Sequence, residues 1–339
     1  LGLAFADGIT ERVIQAYIFA SGQHNPGDKL IINGFSRGAA EARALAGFIS
    51  HCGLLDLIPG SDDKTRDENT KNALAAWTAY RNDRPGQGEQ DRLDALDNAT
   101  NQLSAKQASG QIATTAQTGT FRAASIDAVG VFDTVCSVGV PLPLPLPGEQ
   151  TDFPINFVDN NLSNNVAAGY HAVAISEDRV LYAPTYWNQR TGMKQVAFYG
   201  VHSNIGGGGP DKYLGTISLN WMQAQLEASG LVFSQPANCT PQPADVTTPA
   251  DWFAPNILDP VDLVRSARTL PHGTAIHDSL YQRVAGYPGW AGWTVAQQDS
   301  YGNSLVCLKN SGCLNPIEPS VPTFSWGPTV PVEPYKLTI

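Results

Sequence analysis

No run in the 339-residue sequence reaches the roughly 18–20 consecutive apolar residues of a membrane-spanning helix, so no transmembrane helix is expected. Positive charge is also scarce. Lys and Arg number 21 against 31 Asp and Glu, a formal net charge of −10. That balance argues against nucleic acid as a partner, because phosphate binding needs clustered cations. With only 2 methionines, a Met-lined promiscuous groove is not expected. The 5 cysteines (Cys52, Cys136, Cys239, Cys307, Cys313) include no CxxC pair and so no zinc pattern. Cys307 and Cys313 either close a small loop in an oxidising compartment or remain free thiols in a reducing one. The 6 histidines are scattered and no HExxH occurs, so neither a catalytic metal nor any other cofactor is expected. Gly206–Gly209 lacks the lysine of a phosphate-cradling GxxxxGK[ST] loop. The chain opens at Leu1 with neither Met nor a basic-then-apolar secretion signal, and is expected to be a fragment or the ordered part of something longer.

The composition that remains is that of a folded chain. Apolar residues make up 42% and charged residues 15%, enough core material to exclude disorder as the main state. At about 100–200 residues per domain, one large α/β unit or two modest ones fit. Val13, Ile14, Tyr17, Ile18 and Phe19 recur at helical spacing over 10–21. A turn at Pro26-Gly27-Asp28 precedes Lys29–Asn33, a short apolar run that reads as a buried parallel strand. An Ala-rich helix follows, through Ala39, Ala42, Leu45, Ala46 and Ile49. Further strands are expected at 125–132, 172–175 and 195–201, and a helix over 217–229 with Trp221, Met222 and Leu226 on one face.

Between Ser61 and Gly119 the composition turns polar, with Leu74 and Trp77 and then Leu93, Leu96 and Leu103 at helical spacing. Two amphipathic helices inserted into the domain are expected, either as surface decoration or as a lid over a cleft. Pro141–Pro147, with Leu142, Leu144 and Leu146 alternating between prolines, excludes helix and interior strand and reads as a stiff extended segment. Both this segment and the Trp-containing insertion are expected to border the cleft and contact membrane. Beyond Cys239 the chain reads as irregular apart from a helical stretch near Leu263.

The sharpest chemical signal is Gly34-Phe35-Ser36-Arg37-Gly38, a GxSxG pattern between a buried strand and a helix. A serine hydroxyl attacks a carbonyl only if it projects toward both a base and the incoming ester, and a tight strand-to-helix turn supplies that projection. Glycines two before and two after let neighbouring backbones approach. The Arg37 N–H, at the start of the helix, is the expected oxyanion donor. A base and an orienting acid must follow. Beyond the adjacent helix the histidines are His171, His202, His272 and His277. His202 follows a strong core strand and opens a glycine-rich loop. His171 precedes a strand, placing it at the opposite edge, and His277 falls near a helix or turn. For the acid, Asp133 is the first residue past strand 126–132, at the sheet edge where ligands gather. Asp127 lies inside that strand and points elsewhere; Asp152, Asp159 and Asp178 are loop carboxylates.

Three blocks, Gly27–Gly47, Val131–Val135 and Gly200–Gly208, occur in an order that closely resembles the DUF2235 α/β-hydrolases, a family that includes the type VI secretion lipase effectors of the Tle1 group. The resemblance covers about residues 8–50 and 120–285, and Ile276-His277-Asp278-Ser279 is similar to a late family block. It implies an α/β-hydrolase-like, mostly parallel sheet flanked by helices. The catalytic domain would occupy 1–60 and 120–285, with a helical insertion at 61–119 and an irregular C-terminal extension at 286–339. It further implies Ser36 as nucleophile, Asp133 as acid and His202 as base of a serine phospholipase acting on bilayer phospholipid, with no cofactor. The partners it implies are a cognate immunity protein and secretion-spike proteins. It also implies synthesis in the cytoplasm without a signal peptide and type VI delivery into a target-cell periplasm. A soluble carboxylesterase and an inert hydrolase-fold interaction module are the alternatives. Where the family commonly has His-Ser-Asp, this chain has His202-Ser203-Asn204, without that carboxylate. The family's opening strand and Asp-Gly-Thr loop, with the second oxyanion donor, are expected upstream of Leu1.

Overall fold

A computed structural model describes residues 9–82, 121–136, 160–179, 182–208, 213–234, 268, 270–271, 274–277 and 279–280, with the backbone of 317–318. The second insertion helix (Leu93, Leu96, Leu103), the Leu-Pro run, the stretch near Leu263, His272, and Cys239, Cys307 and Cys313 lie outside the described residues. In chain order the elements are α1 (Ile9–Gln23), β1 (Ile31–Phe35), α2 (Arg37–Cys52), β2 (Leu54–Leu55), α3 (Asp63–Asn82), β3 (Phe121–Arg122), β4 (Ile126–Phe132), β5 (Val166–Ala174), β6 (Met193–Phe198), α4 (His202–Gly206), α5 (Tyr213–Ala228), β7 (Ala275–His277) and β8 (Ile317–Glu318). One sheet has the order β1-β4-β5-β6-β7-β8, with β6-β7 and β7-β8 parallel, and β2 pairs antiparallel with β3. This is the expected mostly parallel, helix-flanked α/β arrangement. Among the described residues no helix is long and apolar enough to cross a membrane.

The chain divides into two compact units. The first comprises Leu1–Val129, Cys136–Gly169 and Trp187–Arg190. Its helix α1 buries Ile9, Val13, Ile14 and Tyr17, the stripe that the spacing predicts. Helix α2 presents Ala39, Ala40, Ala42, Ala44 and Ala46, whose small side chains let it lie close to its neighbours, then Phe48 and Ile49 as bulk. Asp62 starts α3 by accepting the Thr65 N–H at 3.0 Å, an N-cap at the polar end of a loop. Trp77 of α3 is 1% exposed and meets Phe48 edge-on at 5.3 Å, while Phe48 stacks on Tyr17 at 4.1 Å. The membrane-contacting role expected for the Trp-containing insertion therefore does not hold at Trp77. Leu74, its neighbour in the sequence pattern, is the exposed member. The indole is too large a hydrophobe to leave in water when α1 and α2 offer an aromatic pocket.

The second unit comprises Gly130–Val135, Tyr170–Tyr186 and Thr191–Ile339. Its core gathers Ile175, Ala197, Tyr199, Val201, Leu214, Leu270, Ile276 and Leu280. Trp221 of α5 is fully buried, edge-on to Phe198 at 5.4 Å. Helix α5 approaches α4 closely at Gly215, where a Cβ would sit 2.9 Å from the Asn204 carbonyl oxygen.

Four local readings change. Strand β1 runs two residues later than expected, taking in Gly34 and Phe35. Strand β5 begins at Val166, so His171 is inside it rather than ahead of it. The polar and glycine residues that hid its first half are overridden by burial; at Gly169 a Cβ would collide with the Leu162 side chain at 2.5 Å. Strand β6 ends at Phe198, and His202 begins helix α4 instead of a glycine loop. His277 lies in strand β7 and stacks on Phe198 at 4.6 Å, not at a helix or turn. Replacing Trp77 by Ala should cost about 3–5 kcal/mol of stability, the range for deleting a large core aromatic. Chemical denaturation checks this, and a loss near zero would contradict the packing described.

Candidate active site

In the first unit, the chain leaves β1 at Phe35 and enters α2 at Arg37, with Ser36 alone at the corner. Ser36 has φ 59° and ψ −121°, a conformation that L residues rarely adopt and that costs on the order of 1–3 kcal/mol. The turn is tight because Gly34 has no Cβ: one there would lie 2.1 Å from the Gly38 carbonyl oxygen and 2.7 Å from the Ala39 nitrogen. Gly38 differs from expectation, since a Cβ at that position meets nothing within 4 Å. The close approach is made by Gly34 to the backbone of Gly38, so only the first glycine is sterically required. Ser36 is half-buried and Arg37 is exposed. As the first residue of α2, Arg37 has its amide at the positive end of the helix. A cleft of about 700 Å³ in this unit is lined by Phe19, Gly34, Gly38, Leu45 and the Arg12–Glu41 ion pair; Ser36 is not among its lining residues.

In the second unit, Asp133 follows β4 directly and is fully buried, with φ 42°. Among the described residues, Ser36 and Asp133 are the two non-glycine positions with positive φ. The backbone at Asp133 is fixed on both sides. Its N–H donates to the Ala172 oxygen at 2.7 Å, and the next amide, of Thr134, donates to His171 Nε2 at 3.1 Å. His171 thus uses Nε2 as acceptor and donates from Nδ1 to Gln195 Oε1 at 3.3 Å. Far from lying at the opposite edge, this histidine braces the turn that carries Asp133.

The carboxylate of Asp133 receives four donors. Oδ1 accepts the Ala174 N–H at 2.9 Å and Arg268 Nη1 at 2.6 Å; Oδ2 accepts Arg268 Nη2 at 2.8 Å and His202 Nδ1 at 2.6 Å. Burial by itself pushes this carboxyl upward, but the Arg268 charge and the hydrogen bonds from His202 and Arg268 outweigh it. The net effect holds Asp133 well below the usual carboxylate range. An ionised carboxylate only accepts, so His202 carries its proton on Nδ1 and Nε2 is the ring's acceptor. The His202 backbone N–H donates to Glu177 Oε2 at 3.1 Å, and Tyr182 packs edge-on against the imidazole at 4.8 Å. Glu177 is buried and paired to Arg179, at 2.8 Å from both Nε and Nη2. The Arg179 guanidinium lies 3.8 Å over the Tyr182 ring. Burial raises the Glu177 carboxyl while the Arg179 hydrogen bonds lower it more.

Of the residues picked out in the sequence, Asp133 and His202 are brought into direct contact, and Gly34, Ser36, Arg37 and Gly38 form one turn in the other unit. Asp127 pairs with Lys29 at 2.7 Å. Asn204 is buried and accepts the Val201 N–H through Oδ1 at 3.1 Å, a helix-capping role that needs no carboxylate. Sequence reading missed Arg268, which follows the helical stretch expected near Leu263 with no motif of its own, and Glu177, whose only local mark is the charged run Glu177-Asp178-Arg179. Among the described residues no cluster of three or more His, Cys, Asp or Glu is arranged to hold a metal ion.

Residues 1–225 match a family model described as the type VI secretion phospholipase effector Tle1-like catalytic domain. An uncharacterized protein of Saccharomyces cerevisiae is 45% identical over 51 residues, 15% of this chain and 8% of that protein. A solved structure of a Tle1 effector bound to the VgrG spike of a type 6 secretion system aligns with a TM-score of 0.26 and 19% identity, covering 60% of this chain and 30% of that one. The chain thus spans less than a third of either relative.

The lowered Asp133 carboxyl has a consequence for stability. Its contribution is complete above the ordinary Asp value of about 4 and is lost as pH falls below it. Asp133→Asn should cost about 3–5 kcal/mol at neutral pH, since the buried Arg268 charge loses its partner. It should also weaken the acid dependence of the unfolding midpoint below about pH 4. Denaturant titrations of both proteins at neutral and acid pH check this, and parallel pH dependences would contradict it.

Proposed function

The chain belongs to the Tle1-like phospholipase effectors of type VI secretion, through their catalytic domain, and on that premise we propose that it is an A-type serine phospholipase. Its substrates are the acyl esters of bilayer phospholipids, contacted peripherally. The observation that carries the reading is the 2.6 Å bond from His202 Nδ1 to buried Asp133, which leaves Nε2 to take a proton. The strained corner at Ser36, with φ 59°, supports Ser36 as the nucleophile.

In the proposed reaction His202 Nε2 removes the Ser36 hydroxyl proton as Oγ attacks the ester carbonyl. The resulting oxyanion is held by the Arg37 N–H. Collapse breaks the ester C–O bond, and the imidazolium returns its proton to the departing lysophospholipid oxygen. Water then attacks the acyl-serine, giving its proton to the same nitrogen, and release of the fatty acid restores Ser36. Asp133 stays ionised throughout. It fixes the tautomer and offsets the charge on the imidazolium. The reaction as written uses neither metal nor cofactor.

Family membership supports the setting: export by the type VI apparatus, docking to spike proteins, action in a target-cell periplasm with antibacterial effect, and neutralisation by a cognate immunity protein. The Tle1 effector of known structure is itself bound to such a spike.

The test is hydrolysis of vesicles made from a defined mixed-acyl phosphatidylethanolamine, with products identified by mass spectrometry. Wild type should release fatty acid and one lysolipid, and should label with a fluorophosphonate at Ser36. Ser36→Ala should lose the label and at least about 10³-fold of the turnover. Activity on a dissolved short-chain ester with none on vesicles would make the protein a soluble carboxylesterase. Absence of both label and turnover would make it an inert interaction module.

A further inference from the structure

The acid of a serine-hydrolase triad ordinarily faces the imidazole as a buried negative charge, yet in this chain Asp133 is shared. Arg268, 9% exposed as a residue and 4% in its side chain, places two parallel N–H donors on the carboxylate, one on each oxygen. The same guanidinium donates from Nη1 to the Ala174 carbonyl at 2.7 Å and from Nη2 to the Tyr182 carbonyl. Arg268 is therefore fixed by β5 and by the segment that carries the ring packed against His202. A planar fork bound on four acceptors has one orientation, and it gives the carboxylate one orientation in turn.

The geometry points to Arg268 as a positioning residue for the proposed Asp133–His202 pair: its guanidinium locks the carboxylate so that Oδ2 faces Nδ1, and its charge shares that same oxygen with the imidazole. This rests on the triad reading above.

The charge inventory carries the second half. Among the described residues, the groups that face the pair are Asp133 at the end of β4, and Glu177, Arg179, Tyr182 and Tyr186 from the segment after β5. To these are added His171 within β5, against the Thr134 amide, and Arg268 itself. The Tyr186 hydroxyl is pushed upward by burial and stays neutral. Two carboxylates and two guanidiniums then cancel when the imidazole is neutral. Protonating it adds a positive charge to a site that water barely reaches, next to the cation on the same Oδ2. Without Arg268 the site carries one net negative charge, and protonation becomes easier. Removal of this cation must therefore move the loss of activity on acidification to higher pH.

The experiment is the pH profile of kcat and kcat/KM for a dissolved p-nitrophenyl ester with wild type, Arg268→Met and Arg268→Lys, with the folded fraction of each followed by near-UV circular dichroism. Arg268→Met should lower the plateau kcat at least tenfold and shift the acid limb up by about one pH unit. Arg268→Lys keeps the charge but not the fork; it should lower kcat with the acid limb within a few tenths of wild type. If Arg268→Met does not fold, the Lys variant decides, and unchanged kcat in it overturns the proposal. An acid limb unmoved in Arg268→Met, with activity falling only with the folded fraction, reduces Arg268 to a packing residue. Fluorophosphonate labelling separates the two levels of inference. Ser36 labelled in wild type together with unmoved variant profiles refutes the role of Arg268 alone, whereas turnover that survives Ser36→Ala refutes the triad and this proposal with it.

Discussion

A carboxylate with no exposure to water, on a strained turn, is the constraint on which the second unit is organised. Asp133 fills its acceptor positions with one backbone amide, two guanidinium N–H groups and one imidazole N–H. These donors come from three separate parts of the chain. Burying such a charge without partners costs several kcal/mol, so the partners are not optional. The positive φ at Asp133 is a further local cost, held by the Ala172 and His171 contacts. What results is an imidazole with a defined tautomer, protonated on Nδ1.

Strain marks both ends of the proposed chemistry. Among the described residues the left-handed backbone falls, outside glycine, on Ser36 and Asp133. Aspartate tolerates that region better than most L residues, whereas serine has no such tolerance. At Ser36 the conformation projects the side chain from a corner that Gly34 alone makes narrow enough. At Asp133 it turns the chain out of β4 so that the carboxylate meets donors from β5, from helix α4 and from Arg268. Local cost concentrated at these two positions, each fixed by its surroundings within its own unit, supports the roles proposed for both side chains.

Much of this was legible in the sequence, because the signals are local. The apolar run before Gly34 and the alanines after Gly38 define strand, corner and helix, and Asp133 follows a strand whose residues are almost all apolar. The choice of His202 rests on a reason that holds only loosely: β6 stops three residues before the expected end, and the histidine opens a short helix. Trp77 and His171 were misplaced, since each depends on a tertiary neighbour that periodicity cannot reveal. The indole has a pocket built by α1 and α2, and the imidazole is buried within a strand whose first half contains glycine and polar residues. Arg268 gave no signal at all. It sits 135 residues from Asp133, and its importance lies entirely in what the fold brings to it.

Family membership supports the proposed reaction class, and the geometry within each unit supports the roles proposed for individual side chains. The most direct measurement of the central claim is a crystal structure of the protein after reaction with a fluorophosphonate. The account predicts phosphorus bonded to Ser36 Oγ, with His202 Nε2 within about 3 Å of a phosphonyl or serine oxygen and Nδ1 still on Asp133. An adduct on Ser36 with the His202 ring well beyond hydrogen-bond reach, or an adduct on a different residue, would contradict it.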